Sequence, residues 1–225
     1  MIITEAPARI CFFGDHQDYL KLPVIAGTID RKITVKAIPN LDAIYFIQLI
    51  DLNKVITINL NEKFKDIQAA DYYRSSLAVL QKEGAVFEQG YDIEITGDIP
   101  VNAGVSSSSA LVVAWLRFLV QAQKKPKLVR SIQIRKWAYA AEVLFFDQPG
   151  GLMDQYTIAQ GGLIYIDTQD GNTTPLTPQL GQLLVAESGI SKQTLSVLQN
   201  AREYGQNAIQ AVKKHYPKFN IQQAQ

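Results

Sequence analysis

Pro100-Val101-Asn102-Ala103-Gly104-Val105-Ser106-Ser107-Ser108-Ser109-Ala110-Leu111 is the stretch from which the rest of the chain can be read. Four successive hydroxyl residues, Ser106 to Ser109, stand directly before an apolar run, residues 110–120, that holds a single charge, Arg117. The run is rich in helix formers and reads as a buried helix. A serine at its N-cap is expected to accept from the orphan N–H groups of the first turn. Gly104 opens backbone angles closed to other residues and lets a ligand approach the main chain. Free N–H groups, a positive helix end and several hydroxyls together make an anion site, for which phosphate is the natural occupant. An ordinary N-cap behind a polar loop uses the same residues, so the stretch needs partners elsewhere to become a site.

Reading back from the loop, residues 91–99 alternate, with Tyr91, Ile93 and Ile95 on one face and Asp92, Glu94 and Thr96 on the other. That is a half-buried strand feeding straight into the serines. Residues 66–83 have helix character, ended by Gly84. Residues 43–50 and 54–60 form a hairpin closed by Asp51-Leu52-Asn53. Residues 24–38 are apolar and β-branched around Asp30-Arg31-Lys32, as two strand segments are. Residues 2–13 read as one or two short strands broken at Ala6-Pro7, and residues 14–21 as a polar turn.

Forward of the buried helix, a loop at 124–127 leads to a second helix at 128–146, broken by Asp147-Gln148-Pro149-Gly150-Gly151. Residues 152–159 form a short helix, and Gly161-Gly162 opens a strand at 163–167. A loop or hairpin at 168–181, a strand at 183–187 and a long helix at 192–215 follow, the last with a modest stripe of Leu195, Leu198, Ala208 and Val212. The polar last ten residues are expected to fray. There is no internal repeat. The outline is α+β: a strand-rich first half, two helices packed on it, and a boundary near 176–181 where a second unit begins.

Composition sets the class. The 225 residues are 47% hydrophobic and 19% charged with a net charge of +1, which suits a soluble globular protein with an ample core. So even a balance argues against nucleic acid or an anionic membrane as the main partner. One cysteine, Cys11, cannot form an internal disulfide and lies in an apolar strand, as a buried inert thiol does. With no leader-like start and no membrane-length apolar run, a cytoplasmic location is the expectation.

Three clusters carry chemistry. Arg9 precedes Asp15, His16 and Asp18, where carboxylates and an imidazole in a turn could hydrogen-bond a polyol or simply cap a solvated turn. Glu142 is a lone acid on an apolar helical face, so it is paired, protonated or on a metal, unless it reaches Arg135 or Lys136 from an exposed face. Asp154 follows a glycine turn, as an N-cap aspartate also would. There is no Gly-x4-Gly-Lys-Ser/Thr loop and no Gly-x-Gly-x-x-Gly, which excludes a P-loop, a Rossmann site and a protein-kinase site. Two histidines, His16 and His215, and one cysteine exclude a zinc site of ordinary spacing.

In this order the three clusters resemble the GHMP sugar and small-molecule kinases. Ala6-Pro7-Ala8-Arg9 through Gly14-Asp15-His16-Gln17-Asp18-Tyr19 is similar to the galactokinase signature, Pro100 to Leu111 to the superfamily's phosphate loop, and Gly151 to Gln155 to the segment bearing the catalytic aspartate. The resemblance implies the α+β fold of the GHMP kinase N-terminal domain. Residues 1–180 would form that ATP- and substrate-binding domain, and 181–225 the start of an incomplete C-terminal α+β domain. It also implies a kinase that uses ATP and Mg²⁺ to phosphorylate a sugar hydroxyl, the anomeric one by analogy. Gly104, Ser106, Ser107 and Ser108 would wrap the phosphates, and Ser108 and Glu142 would hold Mg²⁺. Asp154 would accept or orient the attacking hydroxyl, Arg9 would neutralise charge, and Asp15, His16, Asp18 and Gly151 would hold the sugar. An Arg9 beside Asp154 would keep that carboxylate charged and favour positioning over strong-base chemistry.

The chain departs from the pattern twice. Asp15 stands where the galactokinase signature has glutamate. The third, glycine-rich motif is missing, because Gly189 and Gly205 are the only glycines after Gly181. A truncated chain is therefore expected, with an apolar face open to self-association. A mevalonate-type kinase, a non-catalytic sugar or nucleotide sensor and an inactive fragment remain as other readings.

Overall fold

Two long strands organise the computed structural model, which describes residues 1–64, 66–100, 103–126, 128–186 and 194–223. β1 (Ile2–Phe13) pairs antiparallel with β2 (Val24–Pro39) along most of its length. The opposite edge of β2 is divided. Ile33 to Pro39 pair with β5 (Tyr91–Gly97), and Val24 to Gly27 pair with β6 (Leu163–Ile166). Beyond β5 lie β3 (Ile44–Leu49), its parallel neighbour, and β4 (Lys54–Asn59); β7 (Thr173–Leu176) flanks β6.

Both long strands are continuous where the sequence predicts breaks. Pro7 is tolerated because β1 is an edge strand, paired only with β2, where a missing N–H on the free side interrupts no ladder. The polar Asp30-Arg31-Lys32 fall at an irregularity rather than an end. The register slips between Pro7 and Arg9, leaving residues 29–31 opposite Ala8 alone. There β2 changes partners, and the Arg9 N–H bonds the carbonyl of Val105 in the serine loop at 3.2 Å.

α2 (Ser107–Ala122) lies on β1 and β2, and α1 (Tyr72–Lys82), α3 (Ser131–Tyr139) and α4 (Met153–Gln160) pack around it. It buries Val112, Val113, Leu116 and Leu119, while Trp115 and Phe118 meet Tyr45, Tyr73 and Tyr91 in largely edge-on contacts. Its one charge, Arg117, donates to the carbonyls of Glu5 and Ala159, which tethers β1 and α4 to the same helix. α1 starts at Tyr72 rather than at 66, because the Asp71 side chain caps it by accepting the Arg74 N–H at 3.1 Å. Gly84, at φ 84°, follows its end, as a left-handed C′ residue does.

The helix predicted over 128–146 divides. α3 gives way at Ala140–Leu144 to a single π turn, in which the Phe145 N–H bonds the Ala140 carbonyl at 2.9 Å. Residues 183–186 are irregular rather than a strand, with no partner strand among the described residues, and Glu187 lies outside those residues. The long helix is α5 (Thr194–His215); Lys192 and Gln193 lie outside the described residues. Ala208 and Val212 of its expected stripe are exposed. The helix instead touches the turn Asp18–Leu20, where Gly205 lies against Leu20. Among the described residues no helix is long and apolar enough to cross a membrane.

Candidate active site

The bulge beside Arg9 and the break between β5 and β6 leave an opening at which the three sequence clusters meet. Arg9 Nε and Nη2 each lie 2.8 Å from Asp154 Oδ1, and Nη1 donates to the Gly104 carbonyl at 3.0 Å. Burial works against the Arg9 charge, but the Asp154 carboxylate outweighs it and holds the guanidinium above its ordinary range. Ser106 Oγ donates to Asp154 Oδ2 at 2.6 Å. Asp154 lies inside the first turn of α4, with both carboxylate oxygens engaged by side chains instead of capping the helix.

Ser106 does not cap α2 in the expected way. It sits before the helix at φ 62°, ψ 49°, and its hydroxyl turns to Asp154 instead of the first-turn amides. The first intrahelical bond runs from the Ala110 N–H to the Ser106 carbonyl at 3.0 Å, so the amides ahead of it have no intrahelical partner. They form a positive helix end of the kind that binds phosphate. Gly104 has φ 79° and open space where a Cβ would lie, so conformation, not crowding, calls for glycine there.

Asp18 accepts the Met153 N–H at 3.2 Å and the Tyr19 N–H at 2.9 Å. Burial, and after it the Asp154 charge, push its carboxyl above the usual range despite those amides. A Cβ on Gly151 would lie 2.0 Å from Asp18 Oδ2, so glycine is needed for space. His16 stands at φ 61° with Nε2 3.7 Å from Asp15 Oδ2, and its buried Nδ1 has no hydrogen-bond partner. Cys11 is half-buried rather than buried. Its thiol donates to the Phe13 carbonyl at 3.4 Å and is pushed up to about 11 by burial, which leaves it unreactive near neutral pH.

Glu142 sits in the π turn with 5% of its surface exposed. Burial raises its carboxyl, opposed by hydrogen bonds from Gln155, Ser109 and Ser108. Neither Arg135 nor Lys136 pairs with it. Arg135 is buried and serves Gln160, Thr173 and the Gly171 carbonyl, and Lys136 is an exposed residue. No group of three or more His, Cys, Asp or Glu side chains gathers for a metal among the described residues. One carboxylate beside a serine hydroxyl nonetheless fits Mg²⁺, which keeps most of its coordination for phosphate and water.

Two cavities meet here. The first, about 400 Å³, is walled by Ile33, Leu49, Leu52, Ile95 and Ile99 and floored by Gly104 and Ser106 to Ser108. The second, about 340 Å³, holds Asp15, His16, Asp18, Glu142 and Gly151, with Leu198 of α5 also in its lining. Arg9, Ser108 and Asp154 belong to both. Every residue singled out from the sequence thus lines one or both. The apolar wall was not foreseen there, and Ser109 and Gln155 were given no role of their own. The wall comes from strand positions that look like ordinary core, and nothing in the spacing of Glu142 and Gln155 announces that they touch.

Residues 68–162 match the family described as GHMP kinases N terminal domain. The galactokinase of Haemophilus influenzae (strain PittGG) is 28% identical over 207 residues, which cover 89% of this chain and 53% of that protein. That of Thermococcus kodakarensis is 30% identical over 197 residues, covering 85% and 54%. The solved structure of Lactococcus lactis galactokinase complexed with galactose superposes with a TM-score of 0.73 at 19% identity, over 98% of this chain and 58% of that one. Methanococcus jannaschii mevalonate kinase gives a TM-score of 0.67 at 22% identity, over 79% and 56%. These two likenesses speak for the fold. The chain spans about half the length of the curated relatives it matches.

Proposed function

We propose that this chain, a galactokinase-like GHMP kinase, binds ATP in the first cavity and a neutral sugar in the second, and transfers the γ-phosphate to a sugar hydroxyl. The observation that carries this reading is that one acid, Asp154, belongs to both cavities together with Arg9 and Ser108. The apolar wall suits a nucleotide base, and the α2 N-terminus suits its phosphates. Both cavities draw almost wholly on residues 9–155, which agrees with an ATP- and substrate-binding domain over 1–180; α5, in 181–225, adds Leu198.

The second cavity holds Asp15, Asp18, Glu142 and Asp154 against the single arginine Arg9. Carboxyl oxygens accept hydrogen bonds, so they suit the many hydroxyl donors of a sugar. With Arg9 already paired to Asp154, the lining holds, among the described residues, no further lysine or arginine for an anionic alcohol such as mevalonate. The anomeric hydroxyl is the acceptor we infer from the galactokinase likeness.

Phosphoryl transfer through a loose transition state asks for positioning and charge more than for covalent help. Arg9 fixes Asp154 and, through Gly104, the phosphate loop, so acid and phosphate are set by one side chain. The sugar hydroxyl must reach Asp154 Oδ2, which Ser106 holds at 2.6 Å, and it replaces that contact as it arrives. Asp154, held charged by Arg9, serves chiefly to orient the hydroxyl and receives its proton late, as the phosphorus–oxygen bond to the sugar forms and the one to ADP breaks. Ser108 and Glu142 would hold Mg²⁺, which when bound would neutralise phosphate charge.

Calorimetry with ATP and a panel of aldoses, uronic acids and mevalonate, combined with phosphorus NMR of the products, tests the assignment. A sugar phosphate, with no turnover of mevalonate, supports it. Turnover of mevalonate alone moves the reaction elsewhere in the superfamily. Binding of ATP and sugar without any product leaves a sensor.

A further inference from the structure

Gln155 lies next to Asp154 on α4, with 2% of its surface exposed and no place in the mechanism above. Its Nε2 donates to Glu142 Oε2 at 2.7 Å and reaches Ser109 Oγ at 3.4 Å. Its Oε1 is buried without a hydrogen-bond partner. Leaving a buried carbonyl oxygen unsatisfied costs about 1–3 kcal/mol. The amide is therefore held by its donor end alone, and packing would be served better by an apolar side chain of the same shape. What the amide adds is a fixed donor on one oxygen of a buried acid.

We infer that Gln155 is a positioning residue for the cation carboxylate: it holds Glu142 Oε2 so that the other oxygen is presented to a divalent cation beside Ser108. The inference rests on the proposed role of Glu142. It also makes α4 a rigid spacer, because consecutive residues set the acid that meets the sugar and the acid that meets the cation. The π turn supplies the other half of this arrangement. Its wider loop carries Glu142 into a buried position facing α2 and α4, between Ser108, Ser109 and Gln155.

The test is Mn²⁺ binding to the chain with a non-hydrolysable ATP analogue, followed by electron paramagnetic resonance, for the unaltered protein, Gln155→Met and Gln155→Asn. Met keeps the length without the donor; Asn keeps the amide but withdraws it by one methylene. Circular dichroism and thermal unfolding identify which variants fold. Loss of such an outer contact weakens metal binding by roughly 10–100-fold. The expected result is that weakening in each folded variant, with the Mg²⁺ concentration needed for half-maximal turnover raised in parallel and kcat recovered at saturating Mg²⁺. Unchanged Mn²⁺ affinity in a folded variant overturns the inference, as does a loss of kcat that excess Mg²⁺ does not restore. Glu142→Gln separates the two levels. If it too leaves Mn²⁺ affinity intact, the metal role of Glu142 fails; if it abolishes binding while the Gln155 variants do not, only the role of Gln155 fails.

Discussion

Ser106 holds Asp154 from a left-handed backbone, at φ 62° and ψ 49°, through a hydroxyl 2.6 Å from Oδ2. That conformation costs a non-glycine residue about 1–2 kcal/mol, and a hydrogen bond to a charged acceptor returns about 1.5–3 kcal/mol. The bond therefore offsets the strain. Ser106→Ala keeps the strain and loses the bond, whereas Ser106→Gly loses both. Urea unfolding should find the alanine variant less stable than the glycine variant by about 1 kcal/mol. Both should lose a similar fold of turnover. Equal stabilities would show that the backbone angle carries no cost here.

Arg9 and Asp154 side chains are 11% and 30% exposed, so their pair lies between a surface ion pair and a buried one. Surface pairs couple by about 0–1 kcal/mol, and removing one partner of a buried pair costs about 3–5 kcal/mol. A double-mutant cycle of Arg9→Met and Asp154→Asn should therefore give a coupling of about 1–3 kcal/mol. Turnover of Asp154→Asn should fall by about 10²–10⁴-fold if the carboxylate takes the proton. An undiminished rate removes Asp154 from the chemistry.

Gly151→Ala puts a methyl group where Asp18 Oδ2 now lies, 2.0 Å from the built Cβ. Asp18 is held by two backbone amides and can yield only by losing one of them. Since Asp18 lines the second cavity alone, KM for the sugar should rise while KM for ATP stays within about twofold. A rise in both would mean that the substitution disturbs the whole opening.

Burial lifts the carboxyls of Glu142 and Asp18 in the folded chain. A fold that binds these protons more tightly than the unfolded chain loses stability as pH rises, from the unfolded values of about 4 up to the folded ones. Glu5 and Asp98, lowered chiefly by Lys32, act in the opposite sense, but both are exposed and well screened. Ligand-free protein should therefore lose unfolding free energy as pH rises above the unfolded carboxyl values of about 4. Glu142→Gln should flatten that slope and melt higher at pH 7.5; each 1 kcal/mol gained is roughly 2–4 °C. A steeper slope in the variant would contradict the burial argument.

Much of this was legible beforehand because it was written in local pattern. The alternation of Tyr91, Ile93 and Ile95 gave β5, Asp51-Leu52-Asn53 closed the β3–β4 hairpin, and the apolar run before Arg117 gave α2. Three motifs in order pointed to the GHMP kinases, and the matching family description covers residues 68–162. What stayed hidden was set by tertiary contact. Whether Asp30-Arg31-Lys32 end a strand or bulge within it depends on β5 and β6 competing for one edge of β2. Whether Ser106 caps its helix or holds Asp154 depends on a residue 48 positions away. The π turn at Glu142 has no signature in the helical pattern of residues 128–146 and is seen only in the bond from the Phe145 N–H to the Ala140 carbonyl.

The forked edge of β2 has a consequence for how such a protein can change. The branch through β5, β3 and β4 supplies Leu49, Leu52 and Ile95 to the first cavity. The opposite branch, through β6 and the preceding α4, belongs with Gly151 and Asp18 at the second cavity. Among the described residues the two cavities share Arg9, Ser108 and Asp154, which stand at the crotch. On the proposed assignment, acceptor preference is open to change at Asp15, Asp18 and Gly151 while the apolar wall stays as it is, provided that the ion pair at the fork and the Glu142 carboxylate are left alone.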